Sequence, residues 1–200
     1  MPKVCEYYFA PHSPWAYLGH ARFVALAKKY GVQIELKPCD LGKVFNISGG
    51  LPLAKRAPQR QAYRLLELQR WSDYLNLPLN LQPKFFPVPP DLAAKFIIAT
   101  QLAHGTAMGL DVTGAIMAAL WAEDKNISDE DTLASVAINL DLDGKALLKS
   151  AETASAQAAY DQFTDNAMTA NVFGSPWYVV DGESFWGQDR LDFVERAFAK

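Results

Sequence analysis

A serine and a proline stand together where an apolar strand gives way to a helix, in the stretch Ser13-Pro14-Trp15-Ala16. Serine is a preferred N-cap residue, and proline is preferred at the first position of a helix. The N-terminus of a helix also favours an anion, because its peptide dipoles and free N–H groups point there. Two interpretations are open: Ser13 only caps the helix, or its hydroxyl also donates a hydrogen bond to an anion bound there.

The anion suited to this chemistry is a thiolate, and the chain itself does not supply it at this position. Helix N-termini lower the pKa of a thiol and favour its reactive thiolate form, yet none of residues 13–16 is a cysteine. Cys5 and Cys39 form no C-x-x-C motif and fall in or beside predicted strands, so we expect two buried free thiols. Disulfide exchange at the helix end is therefore excluded, and the thiolate must come from another molecule, for which we favour glutathione.

The elements around this site predict a parallel strand-helix-strand unit. Residues 4–9 are rich in β-branched and aromatic residues, and residues 32–37 alternate apolar and polar side chains, which is typical of strands. Between them, apolar residues recur at helical spacing, and Gly31 follows the last turn. A unit of this length joins its two strands in parallel through a crossover helix.

The middle of the chain is helical by pattern. We predict a loop over residues 46–52, a helix over residues 59–76, irregular chain over the proline-rich residues 78–90, and helices almost throughout residues 91–166. Asp91 and Asp111 are predicted as helix caps, and a capping box is predicted to begin at Ser128.

The pattern of the last thirty or so residues again predicts strands. Together with the first unit, this pattern indicates the fold class. Asp181-Gly182 is a two-residue hairpin signal between two apolar runs, and residues 189–199 predict a closing helix. A β-α-β unit followed by a β-β-α unit is the thioredoxin arrangement. We therefore predict an α/β protein, with a thioredoxin-like domain of residues 1–45 plus 171–200 and a large all-helical insertion domain of residues 46–170.

Two further segments of such a fold predict a peptide-binding site beside Ser13. In thioredoxin-like folds the proline before the third strand, here Pro176, is commonly cis, and the residue before it exposes its backbone N–H and C=O. Those groups of Ser175 can pair with a bound peptide like an added strand. Gln188 and Asp189 begin the last helix, where free N–H groups bind a carboxylate. We expect this pair to take the α-carboxylate and α-amino group of a γ-glutamyl unit.

Composition and charge exclude several classes of function. Lys and Arg number 19 against 22 Asp and Glu, the net charge is −3 and no basic run exists, so we expect no nucleic-acid binding. No apolar stretch approaches the ~20 residues of a membrane span, and the N-terminus is too short and polar for a signal peptide, so we expect a cytoplasmic location. The three histidines lack the spacing of metal ligands, so we predict no metal site.

Three segments carry a specific family resemblance: SPWAYLG near the N-terminus, ELQRW with its prolines in the middle, and VFGSPWYVVDGESFWGQDRLDFV near the C-terminus. From Tyr7 to about Val194 the chain resembles the 2-hydroxychromene-2-carboxylate isomerase family, whose relatives are kappa-class glutathione transferases and DsbA-type oxidoreductases. The resemblance implies a thioredoxin-like domain with a helical insertion, glutathione as cofactor and a homodimer.

The resemblance also implies roles for particular residues. Ser13 matches the catalytic serine that stabilises the glutathione thiolate. Ser175 and Pro176 match the segment that binds the glutathione backbone, although the family usually has an apolar β-branched residue at position 175. Gln188 and Asp189 match the γ-glutamyl site.

Three other positions bear on ligand contacts. Arg60 falls where relatives have a basic residue near the glycine carboxylate. Ala10 stands where many relatives have an aspartate, and Gly50 stands where kappa-class members have an asparagine. The implied reaction also needs an apolar slot for an aromatic substrate and donors for its carboxylate. We predict the lining to be His12, Trp15, Phe45, Phe85, Phe86 and Trp177.

The function that we predict first is a glutathione-dependent isomerase of an aromatic degradation pathway, acting on 2-hydroxychromene-2-carboxylate or a similar substrate. A kappa-like glutathione transferase, which conjugates electrophiles and consumes glutathione, is the alternative. A thiol-binding or peptide-binding module without turnover is the third possibility.

Overall fold

The computed structural model describes residues 2–200, and its four strands and eight α-helices follow one another as follows. The strands are β1 (Val4–Phe9), β2 (Gln33–Pro38), β3 (Trp177–Val180) and β4 (Glu183–Trp186). The helices are α1 (Pro14–Tyr30), α2 (Leu41–Ser48), α3 (Pro58–Leu75), α4 (Asp91–Trp121), α5 (Glu130–Ile138), α6 (Gly144–Ala151), α7 (Ala154–Thr169) and α8 (Leu191–Phe198).

A single mixed sheet joins the two ends of the chain in the order β2-β1-β3-β4. β1 runs parallel to β2, with Tyr7 opposite Leu36, and antiparallel to β3, with Tyr7 opposite Tyr178. At the β3–β4 turn, Asp181 and Gly182 have φ of 50° and 82°. Both angles are left-handed, as a type I′ turn requires. The parallel strand-helix-strand unit and the hairpin are thus confirmed.

Helix α1 begins at the residue that the sequence predicted. The Ser13 backbone is extended and its side chain accepts a hydrogen bond from the Ala16 amide, while Pro14 occupies the first helical position. Because β1 ends at Phe9, the first turn of α1 lies just beyond the carboxyl end of a central strand. Ligand sites of α/β folds commonly lie in the crevice at that end of the strands.

The predicted loop over residues 46–52 is wrong in its first part, because helix α2 extends to Ser48. Asp40 is the N-cap of α2, and its carboxylate accepts hydrogen bonds from the amides of Gly42 and Lys43 at 2.8 and 3.2 Å. This cap was not predictable from apolar periodicity, since the helix that it begins is only two turns long.

Three predicted caps in the helical segment are also wrong. Asp91 is the first residue of α4 and not its cap, because Pro90 holds the N-cap position and no side chain accepts a cap bond there. Asp111 lies inside α4, whose break falls instead at Gly105 (φ 86°, ψ 170°), a conformation that only glycine adopts readily. Ser128 does not cap α5, because its hydroxyl donates to Asn126 Oδ1 at 2.8 Å. The cap is Asp129, whose carboxylate accepts from the Thr132 amide at 2.9 Å.

The apolar core is continuous between the sheet and the helical segment. Tyr7 and Phe23 pack with Tyr178, and Ile116 and Leu120 of α4 belong to the same cluster of buried side chains. The division into two domains at residues 45 and 171 stays a prediction. Within residues 2–200, none of the helices is both long and apolar enough to cross a lipid bilayer.

Candidate active site

Ser13 is nearly buried, and its hydroxyl makes two long hydrogen bonds at the start of α1. Oγ accepts from the Ala16 amide at 3.2 Å and donates to the Ser175 carbonyl at 3.3 Å. The Ser13 amide in turn donates to the Ala10 carbonyl at 2.9 Å. A hydroxyl has one proton and two lone pairs, so it can keep the cap and give its proton to another acceptor.

Ser175 ties the loop after β1 to the loop before β3. The Ser175–Pro176 peptide bond is cis, and the buried Ser175 hydroxyl accepts a hydrogen bond from the Ala10 amide at 3.1 Å. The hydroxyl at position 175, which departs from the β-branched residue usual in the resembling family, therefore satisfies a buried amide.

Two backbone donors next to these hydroxyls have no partner within residues 2–200. They are the amides of Trp15, in the first turn of α1, and of Ser175, before the cis proline. The first turn of α1 also contains no acidic residue. The Ser13 hydroxyl and these two amides form a group of donors with no competing negative charge in that turn, which is suited to an anionic ligand.

The two cysteine thiols and the His12 imidazole are uncharged at pH 7. Burial is the main cause that raises the pKa of the Cys5 thiol far above its usual range and that of Cys39 to about 12. Both cysteines are free and buried, as expected. Burial also lowers the pKa of His12 to about 4, against the charges of Asp91 and Asp40. No thiolate or imidazolium of this chain therefore serves as a ready nucleophile or acid at Ser13.

Gln188 and Asp189 lie in a short 3₁₀ turn (Gln188–Arg190) before α8, so the last helix begins at Leu191 rather than at 189. The buried Gln188 side chain accepts a hydrogen bond from the Arg22 guanidinium. The exposed Asp189 carboxylate pairs with Arg190 at 2.8 Å. An ammonium group of a ligand would have to displace Arg190 from Asp189. That displacement costs little, because an exposed ion pair contributes little stability.

The predicted pocket residues form two separate groups. Phe45 and Trp177 pack with Ala10 in a small cluster on one side. Trp15, Phe85 and Phe86 pack against the main core, and the His12 ring lies 6.3 Å from the Phe86 ring, centroid to centroid. Phe85 and Phe86 also line an open cavity of about 410 Å³, to which Ser13 does not contribute. Arg60 is exposed on the first turn of α3.

Gly50 has a structural reason that the sequence did not show. A Cβ atom at this position would lie only 2.2 Å from the Phe45 ring. The ring of Phe45 therefore occupies the space that any side chain at position 50 would need. With this position of the Phe45 ring, only glycine fits at position 50.

One charged residue that was not predicted as a site residue lies beside the Phe86 ring. Arg64 lies on α3, and its guanidinium carbon is 5.3 Å from the centroid of the Phe86 ring and 5.7 Å from that of Trp121. The signal that would have found it is spacing, because Arg60 and Arg64 stand four residues apart on α3 and so share one side of that helix.

The fold and the helix-end site define a thioredoxin-like protein without a redox cysteine pair. The chain matches the family model described as the DSBA-like thioredoxin domain over residues 4–199 and belongs to that family.

Curated relatives cover nearly the whole chain. The 2-hydroxychromene-2-carboxylate isomerase of Sphingobium xenophagum is 28% identical over 98% of this chain and 97% of its own length. Glutathione S-transferase kappa 2 of Caenorhabditis elegans is 24% identical over 98% of this chain and 93% of its own. A solved structure of a 2-hydroxychromene-2-carboxylate isomerase superposes with a TM-score of 0.81 at 27% identity, covering 98% of this chain and 94% of the other.

Proposed function

We propose that this protein is a glutathione-dependent isomerase acting on 2-hydroxychromene-2-carboxylate or a similar aromatic substrate, with Ser13 stabilising the glutathione thiolate. One observation carries the proposal: a hydroxyl and two unpartnered amides stand at the positive end of α1, and no cysteine lies there. The full-length similarity to isomerases of that substrate supports the choice of reaction.

The donors present fit a tripeptide thiol. In the proposal the unpaired Ser175 amide and its carbonyl hold the cysteinyl backbone of glutathione beside Pro176. Gln188 and Asp189 hold the γ-glutamyl end, where the exposed carboxylate takes the ammonium group. Arg60 takes the glycine carboxylate at the other end.

Ser13 contributes by exchanging one acceptor for another. Its hydroxyl turns from the Ser175 carbonyl, which it meets at a long 3.3 Å, toward a thiolate, and this frees the carbonyl for the ligand. The Ala16 amide continues to donate to Oγ and polarises the O–H bond. When bound, glutathione would supply the nucleophile: its thiolate would add to a conjugated double bond as the electron pair moves toward the carbonyl, the resulting single bond would rotate, and the thiolate would leave as the double bond re-forms. The protein therefore needs no acid or base of its own for that step, in keeping with the neutral His12.

The remaining parts of the proposal concern the surroundings. We propose that His12, Trp15, Phe45, Phe85, Phe86 and Trp177 line the aromatic slot. A homodimer and a cytoplasmic location stay predictions; light scattering tests the first and cell fractionation the second.

Thiol counting during turnover tests the proposed function. Purified protein is supplied with 2-hydroxychromene-2-carboxylate, with and without glutathione, and product and free thiol are followed together. We expect isomerisation only with glutathione, and a thiol concentration that stays constant over many turnovers. Turnover without thiol contradicts the proposal.

The kappa-like transferase is the second candidate, favoured by the full-length similarity to a kappa-class enzyme. It predicts loss of one thiol for each molecule of a chloronitrobenzene electrophile. Stoichiometric consumption, without isomerisation of the chromene, establishes the transferase instead. Glutathione binding with no turnover of either substrate establishes a non-catalytic module.

A further inference from the structure

Arg64 is a half-buried cation that has no counter-ion. It makes no hydrogen bond or ion pair with any of residues 2–200, and its Nη2 atom is buried without a partner. Its neighbours are the rings of Phe86 and Trp121, which are themselves in contact at 4.9 Å between centroids. Burial is the main cause that lowers the pKa of Arg64 to about 10, and the charge of a second cation, Arg56, lowers it further.

A guanidinium in this environment lowers the stability of the protein unless a hydrogen-bond acceptor binds to it. A buried charged donor that lacks an acceptor loses its hydration and gains no hydrogen bond in return. Face-on aromatic rings recover part of that loss through cation–π attraction, but they leave the buried Nη2 protons without an acceptor. Arg70 on the same helix shows the ordinary solution, since it is exposed and pairs with Glu67 at 2.6 Å.

Two more polar atoms around the Phe86 ring are buried without partners. They are Trp121 Nε1 and His12 Nδ1. Arg64 Nη2 and Trp121 Nε1 can only donate hydrogen bonds, so what they lack is an acceptor. His12 directly precedes Ser13 in the chain, and its ring lies 6.3 Å from the Phe86 ring, centroid to centroid, so His12 connects this group to the segment that begins α1.

We propose that Arg64 is the specificity-determining residue through which this site selects an aromatic carboxylate over a neutral aromatic molecule. The guanidinium presents parallel N–H donors that match the two oxygens of a carboxylate. The partly exposed Phe86 ring provides apolar surface for the attached ring, and the fully buried Trp121 supports it from behind. The inference rests on the proposed function for the reaction that follows, and it adds the residue that binds the carboxylate of the substrate.

The carboxylate has two possible sources, the aromatic substrate and the glycine end of glutathione. The partly exposed Phe86 ring favours the substrate, because a glycine carboxylate carries no ring to place against it. Arg60, exposed one helical turn earlier, is the residue proposed for the glycine end.

Calorimetric titration with a matched ligand pair tests the proposal without glutathione and without turnover. trans-Cinnamate and trans-cinnamamide share shape and conjugation and differ in charge. We expect the wild-type protein to bind cinnamate more tightly by about 10- to 100-fold, the range of a hydrogen bond to a charged group. Arg64→Leu removes that preference and leaves cinnamamide binding unchanged. Arg64→Lys keeps the positive charge but lacks the two parallel N–H donors of the guanidinium, so we expect it to retain part of the preference.

Arg70→Leu is the matched control, because it removes the same charge from the same helix at an exposed position, and it keeps the full preference. Equal binding of both ligands by the wild-type protein overturns the proposal, as does a preference that survives Arg64→Leu. If Arg64→Leu does not fold, an Arg64→Lys protein with undiminished preference overturns it. Weakened glutathione binding in Arg64→Leu with unchanged cinnamate binding assigns the residue to the glycine carboxylate and overturns it too. The titration contains no glutathione and measures no turnover. Its result can therefore be interpreted even if the isomerase proposal fails.

Discussion

Replacing Ser13 by alanine removes the long bond to the Ser175 carbonyl at 3.3 Å, as does any residue without a hydroxyl. It also removes two interactions whose effects can be separated. The first is the N-cap bond from the Ala16 amide at 3.2 Å, whose loss costs about 1 kcal/mol of folding free energy. The second is the proposed hydrogen bond to the thiolate, worth about 1.5–3 kcal/mol because the acceptor is charged. At 1.36 kcal/mol per unit, that loss raises the pKa of the bound glutathione thiol by about one to two units.

Glycine at position 13 distinguishes the two effects. Glycine is nearly as good an N-cap as serine, so Ser13→Gly costs only about a few tenths of a kcal/mol in stability. It lacks the hydroxyl, however, so the bound thiol pKa rises as it does in Ser13→Ala. Asp143→Ala is the opposite control: it removes the cap that accepts from the Ala146 amide at 3.0 Å on α6, and it lowers stability without touching the site.

The assay is a pH titration of thiolate absorbance with glutathione bound, beside urea denaturation of each variant. We expect the bound thiol pKa to rise in Ser13→Ala and Ser13→Gly and to stay unchanged in Asp143→Ala. Turnover near the wild-type thiol pKa should fall by about 10- to 100-fold in the first two. If Ser13→Ala loses stability but keeps the thiol pKa and the turnover of the wild type, Ser13 is only a helix cap and the reasoning is refuted.

Three further predictions follow from the contacts around the site. Ser175→Val leaves the buried Ala10 amide without an acceptor, so urea denaturation should show a loss of about 1–3 kcal/mol; an unchanged midpoint rejects the importance of that bond. Burial lowers the pKa of His12 to about 4 in the folded protein, whereas the unfolded chain accepts a proton on this residue below about pH 6.5. The free energy of unfolding should therefore fall by up to about 3 kcal/mol as the pH drops from about 6.5 to about 4. His12→Gln should flatten this dependence, and an equal slope in both proteins contradicts the burial effect. Gly50→Ala should destabilise by about 1–3 kcal/mol through its clash with Phe45, and Phe45→Ala in the same chain should remove most of that cost in a double-mutant cycle.

The parts of the fold that are encoded locally were predictable from the sequence. Ser13 and Pro14 specify the start of α1 through side-chain and ring chemistry within four residues, and Asp181-Gly182 specifies its turn through positive φ. Asp111 shows where local reasoning fails. Its side chain is an acceptable cap, but the break in α4 is set by Gly105, whose conformation depends on packing of the whole helix.

The candidate site divides in the same way. The helix-end hydroxyl is a local feature, and the sequence identified it. The unpaired state of Arg64 was not visible, because it depends on which side chains α3, α4 and the proline-rich segment bring around it. The match of Gly50 to Phe45 is likewise a contact between residues five positions apart that no helical or strand period describes.

A crystal structure of the protein with glutathione tests the central claim most directly. The account predicts the sulfur within hydrogen-bond distance of Ser13 Oγ, with the cysteinyl backbone paired to Ser175 and the Ser13 hydroxyl turned away from the Ser175 carbonyl. A glutathione sulfur that lies elsewhere, while Ser13 still donates to that carbonyl, would contradict it.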